Sequence, residues 1–147
     1  MTYTTPSFLV PGDKITVVAP ARFVERPFVD GAVNIMKERG FKVSLGEHLY
    51  ERRNQFAGTD RQRVHDINAA IKDPECRAIL CARGGYGTAR LLDALDWEGL
   101  RSDPKWIIGY SDVTALHVSV FTRLNMQSIH GSMPVNFQKN APTALDE

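Results

Sequence analysis

One serine lies in a turn that could present it as a nucleophile. The segment Gly109-Tyr110-Ser111-Asp112-Val113 falls between a predicted buried strand and a predicted helix. A sharp strand-to-helix turn can expose a serine hydroxyl above a sheet, where free backbone N–H groups and the helix dipole favour a developing oxyanion. Gly109 matches the first glycine of a nucleophile elbow, but Val113 stands in place of the second. The local alternative is that Ser111 or Asp112 only caps the helix.

A glycine-rich turn, Arg83-Gly84-Gly85-Tyr86-Gly87, follows another predicted strand. Glycines at a strand end let backbone N–H groups approach an anion or an oxyanion closely. The turn lacks the lysine and the following serine or threonine of a P-loop, and its spacing differs from the dinucleotide-binding fingerprint. On local grounds, a tight turn without any ligand is an equally good interpretation.

The sequence offers few bases for Ser111. His117 lies about 9 Å further along the same predicted helix, so it is predicted not to reach the hydroxyl. His48 and His65 are predicted to be surface residues. His130 ends a predicted strand next to the Ser111 strand, and it is either a local base or a residue that positions loops or ligand. No group of His, Cys, Asp or Glu has metal-ligand spacing, so neither a metal nor a cofactor is predicted.

Strands and helices alternate along the chain and must position these segments. Short apolar runs predict strands at residues 14–19, 78–82 and 106–108, and two further strands are predicted at 42–45 and 127–130. Apolar residues at helical spacing predict helices at residues 27–39, 59–73, 88–95 and 113–124, the second opened by a capping box of Thr59 and Gln62. This alternation predicts an α/β fold with a parallel sheet covered on both faces. The serine turn, the glycine-rich turn and His130 then lie on one rim, beyond the carboxyl ends of the strands.

Length and composition narrow the class of protein. The 147 residues are enough for one domain with a core, and 43% hydrophobic with 24% charged residues is typical of soluble globular proteins. A net charge of +1 gives no electrostatic footprint for nucleic acid or an anionic membrane. No apolar run could span a membrane, and the start lacks a signal-peptide pattern. Cys76 and Cys81 form no disulfide framework, so a cytoplasmic protein is predicted.

Six short segments occur in a specific order. They are Gly12-Asp13, Val18-Ala19-Pro20, Ala57-Gly58-Thr59-Asp60, Arg83-Gly84-Gly85-Tyr86-Gly87, Ile108-Gly109-Tyr110-Ser111-Asp112 and His130-Gly131. Together they resemble the N-terminal half of the LD-carboxypeptidases, a serine peptidase family that includes murein tetrapeptide carboxypeptidase and the microcin C immunity peptidases. The resemblance extends over residues 12–131. It implies a flavodoxin-like, doubly wound, mainly parallel sheet of about five strands, similar to that of class I glutamine amidotransferases.

The resemblance also implies a reaction. Family members are metal-independent serine hydrolases with a Ser–Glu–His triad, and their serine matches Ser111. The N–H groups of Asp112 and Gly85 would then form the oxyanion hole. The implied reaction releases D-alanine from murein tetrapeptide during cell-wall recycling, and cleavage of a peptidyl-adenylate is the alternative within the family. The residues predicted to contact the substrate are Gly84, Tyr86 and His130.

The family's triad glutamate and histidine lie in a C-terminal domain that has no counterpart in this sequence. Residues 1–135 are therefore predicted to form the N-terminal nucleophile domain, and residues 136–147 the start of an interdomain linker. Two other hypotheses remain open: a non-catalytic domain that binds a carboxylate or phosphate, and a self-contained hydrolase with His130 as its base. Apolar surface that a second domain would cover predicts self-association, as a homodimer.

Overall fold

A computed structural model describes residues 2–139. Five parallel strands form one sheet in the order β2-β1-β3-β4-β5. The strands are β1 (Lys14–Val18), β2 (Lys42–Leu45), β3 (Cys76–Cys81), β4 (Trp106–Gly109) and β5 (Ile129–His130). This is the strand order of flavodoxin-like doubly wound sheets. The predicted α/β class and the five-stranded parallel sheet are therefore confirmed.

Helices cover both faces of the sheet. They are α1 (Arg26–Glu38), α2 (Asp60–Lys72), α3 (Trp97–Ser102), α4 (Thr114–Leu124) and α5 (Pro134–Phe137). Successive strand residues point to opposite faces, so Ile79 of β3 packs in the core under α2 and α4, whereas its neighbour Leu80 packs in the core under α1. Among residues 2–139, no helix is both long enough and apolar enough to cross a membrane.

The start of α2 confirms a detail of the sequence analysis. The Thr59 hydroxyl accepts a hydrogen bond from the Gln62 backbone N–H (3.1 Å), and the Gln62 side chain accepts one from the Thr59 N–H (2.8 Å). These reciprocal bonds form the predicted capping box. The helix ends at Lys72, just before Asp73-Pro74, because the residue preceding a proline disfavours the helical region.

Four elements differ in type or length from the prediction or were not predicted. The predicted helix at 88–95 is a 3₁₀ helix, Thr88–Ala94. Strand β5 is shorter than predicted, because the Gln127 N–H donates to the Thr4 carbonyl instead of to a sheet neighbour (2.9 Å). Helices α3 and α5 were not predicted, since both are short and α3 contains Gly99, a poor helix former. Residues 136 and 137 of the predicted linker lie in α5, and 140–147 lie outside the described residues.

A fully buried lysine connects three elements at the end of the sheet opposite the serine turn. Lys105 Nζ donates to the carbonyl oxygens of Asp73 and Cys76 (2.9 Å each) and to Asp103 Oδ2 (2.6 Å). All three ammonium protons are therefore used, which offsets the cost of burying the charge. Lys105 thus holds the end of α2 and the starts of β3 and β4 together.

An ion pair at the same end should make the fold acid-sensitive. Lys14 Nζ lies 2.6 Å from Asp73 Oδ2, and this hydrogen bond is the main cause that holds the pKa of Asp73 below its usual value. A carboxyl group whose pKa is lower in the folded than in the unfolded state stabilises the fold at pH values above its unfolded-state pKa of about 3.9. This stabilisation is lost as the pH falls through the folded-state pKa. We expect Asp73→Asn to lower the free energy of unfolding by about 1 kcal/mol at pH 7 and to have little effect at pH 2, measured by urea unfolding.

Glu75→Gln is the matched control for the Asp73 variant. Glu75 lies 3.8 Å from the same Lys14 ammonium but is 70% exposed, so water screens its charge. The Glu75 variant should change the free energy of unfolding by less than about 0.5 kcal/mol. Equal losses in the two variants, or a loss in Asp73→Asn that does not depend on pH, would contradict this account.

Candidate active site

Ser111 follows β4 directly and begins a helical segment. Residues Ser111–Val113 form a 3₁₀ turn that continues into α4. The backbone of Ser111 has a φ of 61°, in the left-handed region, which costs a non-glycine residue roughly 1–2 kcal/mol. Its side chain is exposed. A strained, exposed serine between a strand and a helix has the backbone geometry of a nucleophile elbow.

The helix-cap alternative for Ser111 and Asp112 is wrong. The N-cap residues are Tyr110 for the 3₁₀ turn and Val113 for α4, and no side chain caps either element. The carboxylate of Asp112 instead accepts a hydrogen bond from the backbone N–H of Thr88 (2.9 Å). This bond ties the serine turn to the residue that follows the glycine-rich turn. The Ser111 hydroxyl is therefore available for chemistry.

Packing at the end of β4 explains why Val113 can stand where the nucleophile-elbow motif has its second glycine. A Cβ atom on Gly109 would lie 2.9 Å from Val113 Cγ1 and 3.2 Å from Cys81 Cβ. Val113 is completely buried and occupies the space beside the bare Gly109 backbone. A valine at this position is therefore compatible with the elbow, provided that residue 109 remains glycine.

Gly84 packs its backbone against the nucleophile. A Cβ atom on Gly84 would lie 3.1 Å from Ser111 Cβ, 3.2 Å from Ser111 Oγ and 3.5 Å from the backbone nitrogen of Asp112. The Gly84 carbonyl accepts a hydrogen bond from the Arg22 N–H (3.2 Å). Because carbonyl and N–H point in opposite directions in a trans peptide, the N–H of Gly85 points away from Arg22.

The glycine-rich turn leaves a backbone donor free. Gly85 has a φ of 119°, and a Cβ atom there would lie 2.8 Å from Arg22 Cβ, so only glycine fits. Within residues 2–139, the N–H groups of Gly85 and Asp112 donate to no turn, loop or capping carbonyl. Two unused N–H groups next to an exposed hydroxyl can bind an anion or an oxyanion. Tyr86 is exposed in the same turn, with its ring 6.1 Å from that of Phe56.

His130 lies on the same rim, as predicted, because β5 pairs with β4 and aligns His130 with Gly109. Its ring centroid is 6.0 Å from that of Tyr110. It lines a cavity of about 340 Å³ together with Tyr110, Gly131, Ser132 and Asn136. In the described part of the chain, no hydrogen bond joins His130 to Ser111, so the structure places His130 in the wall of a cavity rather than on the nucleophile.

The His117 side chain contacts the end of β4 and Ser128, and it is not free to act as a base. Its Nε2 lies 2.8 Å from the Gly109 carbonyl oxygen, and its Nδ1 lies 2.8 Å from Ser128 Oγ. A carbonyl can only accept, so Nε2 carries the proton and Nδ1 accepts from the Ser128 hydroxyl. Both ring nitrogens are therefore occupied, which agrees with the prediction that His117 does not serve Ser111.

The segment after β5 covers the strand ends, a feature that the sequence analysis missed. The Gly131 N–H donates to the Gly109 carbonyl (3.2 Å), and the Val135 N–H donates to the Ala82 carbonyl at the end of β3 (3.3 Å). Asn136 of α5 accepts a hydrogen bond from the Tyr110 hydroxyl (2.8 Å). The available signal was Pro134 in the first turn of α5, a position that favours proline.

A doubly wound sheet with a serine exposed at a strand-to-helix turn defines an α/β domain that holds its ligand at the strand ends. The chain belongs to the LD-carboxypeptidase N-terminal domain family, whose sequence model matches residues 15–131. A putative carboxypeptidase of Streptomyces coelicolor, SCO6489, is 40% identical over 142 residues, which cover 92% of this chain and 46% of that protein. The murein tetrapeptide carboxypeptidase of Pseudomonas aeruginosa is 34% identical over 119 residues, 80% of this chain and 38% of that protein.

Solved structures confirm the fold. The crystal structure of an MccF-like protein from Bacillus anthracis superposes with a TM-score of 0.88 at 32% identity, covering 97% of this chain and 45% of that one. The chain thus spans less than half the length of the relatives named here. The relatives support the family and the fold, whereas the activity of the whole protein is a proposal.

Proposed function

We propose that this chain is the nucleophile domain of a serine carboxypeptidase that releases D-alanine from murein tetrapeptide. The observation that carries the proposal is the exposed, left-handed Ser111 with the unused N–H groups of Asp112 and Gly85 beside it. The 34% identity to a murein tetrapeptide carboxypeptidase supports the substrate.

The proposed reaction uses this geometry. Ser111 Oγ attacks the carbonyl carbon of the bond to D-alanine, and the hydroxyl proton passes to a base. The N–H groups of Asp112 and Gly85 donate to the oxyanion, and removing one such donor typically costs about 10²- to 10³-fold in kcat. The base returns its proton to the amine of D-alanine as the C–N bond breaks, leaving an ester on Ser111. Water, deprotonated by the same base, then hydrolyses this ester.

We expect the base to be a residue outside the described range, 2–139. A serine hydroxyl needs a neighbouring base to become a good nucleophile, and within residues 2–139 no histidine is hydrogen-bonded to Ser111. The family resemblance assigns this role to a histidine and a glutamate of a C-terminal domain. In this proposal, His130, Gly84 and Tyr86 contact the peptide around Ser111, with part of it in the 340 Å³ cavity beside Tyr110.

An assay of D-alanine release tests the proposal. The full-length protein is incubated with murein tetrapeptide and with the tripeptide as a control, with EDTA present throughout. We expect D-alanine from the tetrapeptide and no product from the tripeptide. Binding of the tetrapeptide without any cleavage would instead support a non-catalytic, carboxylate-binding domain.

A peptidyl-adenylate is the second candidate substrate, because the family resemblance includes the microcin C immunity peptidases, of which MccF is one, and an MccF-like structure matches nearly the whole chain at 32% identity. The same serine and N–H groups would attack the carbonyl of a peptidyl-adenylate in the same way. Cleavage of such a compound by the full-length protein, with no D-alanine release from the tetrapeptide, would favour this second substrate.

A cytoplasmic location is also part of the proposal. Both cysteines are free and buried, and burial raises the pKa of the Cys81 thiol to about 12. A buried thiol with a raised pKa is unreactive, because the thiolate is the form that reacts. These properties suit a reducing compartment, in which disulfides are rare.

We further propose a homodimer that uses the edge formed by α4 and β5. Val118, Phe121 and Ile129 are exposed there, and Tyr3 stacks on Phe121. Neighbouring apolar groups at the edge of a sheet are typical of an interaction surface. We expect sedimentation of the full-length protein to show a dimer that Phe121→Glu dissociates. Val10→Glu, at an equally exposed valine in the turn before β1, should leave the dimer intact; a wild-type monomer at every concentration would contradict the proposal.

A further inference from the structure

Metal-ligating side chains converge beyond the end of β2, away from Ser111. Glu47 and His48 lie in the loop that follows β2, and His65 lies on α2. One donor atom from each of the three side chains lies within 4.8 Å of the other two. The side chains of Glu47 and His65 are largely exposed, whereas that of His48 is mostly covered, so the group is anchored on one side and open to solvent on the other.

A buried carboxylate orients both imidazole rings. Asp66 is only 4% exposed, and its Oδ1 lies 2.8 Å from His48 Nδ1 and 3.3 Å from His65 Nδ1. Its Oδ2 accepts a hydrogen bond from the His48 backbone N–H (2.9 Å). Because the carboxylate accepts, Nδ1 of neutral His48 carries the proton and Nε2 keeps its lone pair. A carboxylate that sets the tautomer in this way is the usual outer partner of a metal-bound histidine.

The loop approaches α2 closely enough for this arrangement because residue 46 is glycine. A Cβ atom on Gly46 would collide with the Asp66 carboxylate. The nearby Lys14 ammonium lies on the wall of the same 270 Å³ cavity as Glu47 and His65, but it is paired with Asp73 at 2.6 Å. The charge of Lys14 is therefore balanced locally, and the group can accept a cation.

The donor set selects the ion. Two imidazoles and one carboxylate, with room for a water, match the three-ligand open sites of Zn²⁺, whereas Mg²⁺ and Ca²⁺ prefer sites made of oxygen alone. The negative charges of Glu47 and Asp66 balance the two charges of the ion. We propose that Glu47, His48 and His65 bind one Zn²⁺ ion and that Asp66 holds the two histidines in position.

This site is separate from the proposed active site. Strands β1 and β3 lie between β2 and β4, which puts three strand spacings, about 14 Å, between the ends of β2 and β4. The ion would join the loop after β2 to α2, so its role is to stabilise the folded chain through binding. It takes no part in the attack by Ser111, and the proposal stands whatever the reaction is. The sequence alone does not reveal the site, because its residues are separated in the chain, with sixteen positions between His48 and His65.

Metal titration of the full-length protein tests the proposal. After removal of metals with EDTA and dialysis, Zn²⁺ is titrated calorimetrically, and Co²⁺ is used as a spectroscopic probe of tetrahedral coordination. We expect one equivalent of Zn²⁺ per chain, a rise in the unfolding temperature with Zn²⁺, and visible absorption bands of tetrahedral Co²⁺. His65→Gln should weaken Zn²⁺ binding by at least about tenfold and abolish the thermal shift.

His130→Gln is the matched control, because it removes an exposed histidine from β5, at the opposite edge of the sheet from β2. It should keep the full Zn²⁺ affinity and the thermal shift. The unfolding temperature of each variant without metal verifies that the variant is folded, and Glu47→Gln, at an exposed side chain, provides a second disruption of the site. Absence of stoichiometric binding in the wild type, or equal binding by wild type and His65→Gln, would overturn the proposal.

Discussion

Ser111→Ala should lower kcat for D-alanine release by the full-length protein by roughly 10⁴- to 10⁶-fold, the loss typical of a deleted serine nucleophile. Ser111 Oγ is the group that forms the covalent bond in the proposed reaction, and no other hydroxyl in the serine turn can replace it. The tetrapeptide should still bind, because the N–H groups of Asp112 and Gly85 remain in the variant. Steady-state kinetics and a binding measurement on the same preparation separate the two effects.

The backbone of Ser111 provides an internal control for this experiment. Its φ of 61° strains any residue that has a Cβ atom, but it suits glycine. Ser111→Gly should therefore be as inactive as Ser111→Ala, but more stable than it by about 1 kcal/mol in urea unfolding. An alanine variant that keeps a tenth or more of the wild-type rate would remove Ser111 from the mechanism. Equal stability of the two variants would show that the strain is not located at this residue.

Gly84→Ala should have the second largest effect and act on rate rather than on stability. The added methyl group would lie 3.1 Å from Ser111 Cβ and 3.2 Å from Ser111 Oγ, so the serine must shift by a few tenths of an ångström. Displacing a reacting group from its productive position can cost about 10²-fold in rate. We expect such a loss in kcat, with less than about 1 kcal/mol lost in the free energy of unfolding, since the added methyl group crowds only the exposed Ser111 and its neighbour Asp112.

Gly31→Ala is the control for the Gly84 variant. The same methyl group added on α1 would meet only the end of the exposed Gln138 side chain, which can move aside. This variant should keep kcat within about twofold, because α1 does not contact the serine turn, and should not lose stability, since alanine favours a helix. Similar losses of kcat in both variants would show that the rate does not depend on the contact between Gly84 and Ser111.

The regular elements could be predicted because their signals are local. Strand β2 has the predicted bounds, in a short segment between Gly40 and Gly46, and the capping box of α2 depends on residues three positions apart. The start of β5 could not be predicted, because the Gln127 N–H pairs with Thr4, more than 120 residues away. Helix α5 packs against α1, and its one local signal, Pro134, also suits a turn and so does not by itself predict a helix.

The candidate site likewise contains local features that the sequence predicts and long-range contacts that it does not. The strand-to-helix turn at Ser111 could be located from its neighbours in the chain, and so could the glycine-rich turn. The contact of Gly84 with Ser111 and the bond from Tyr110 to Asn136 join separate segments, so only the folded chain shows them. The contacts around Asp66 were missed for the same reason: His65 is exposed, as predicted, whereas His48 is mostly covered and is hydrogen-bonded to Asp66.

The hydrogen bond from Thr88 to the Asp112 carboxylate has a mechanical consequence. The bond joins the serine turn to the residue that follows the glycine-rich turn. A ligand that displaces one of these turns therefore also displaces the other. The spacing between the two donors is then kept even when the whole rim shifts, for instance as another domain docks onto it. Geometry suited to a tetrahedral intermediate can therefore survive movements that would pull apart two independently anchored loops.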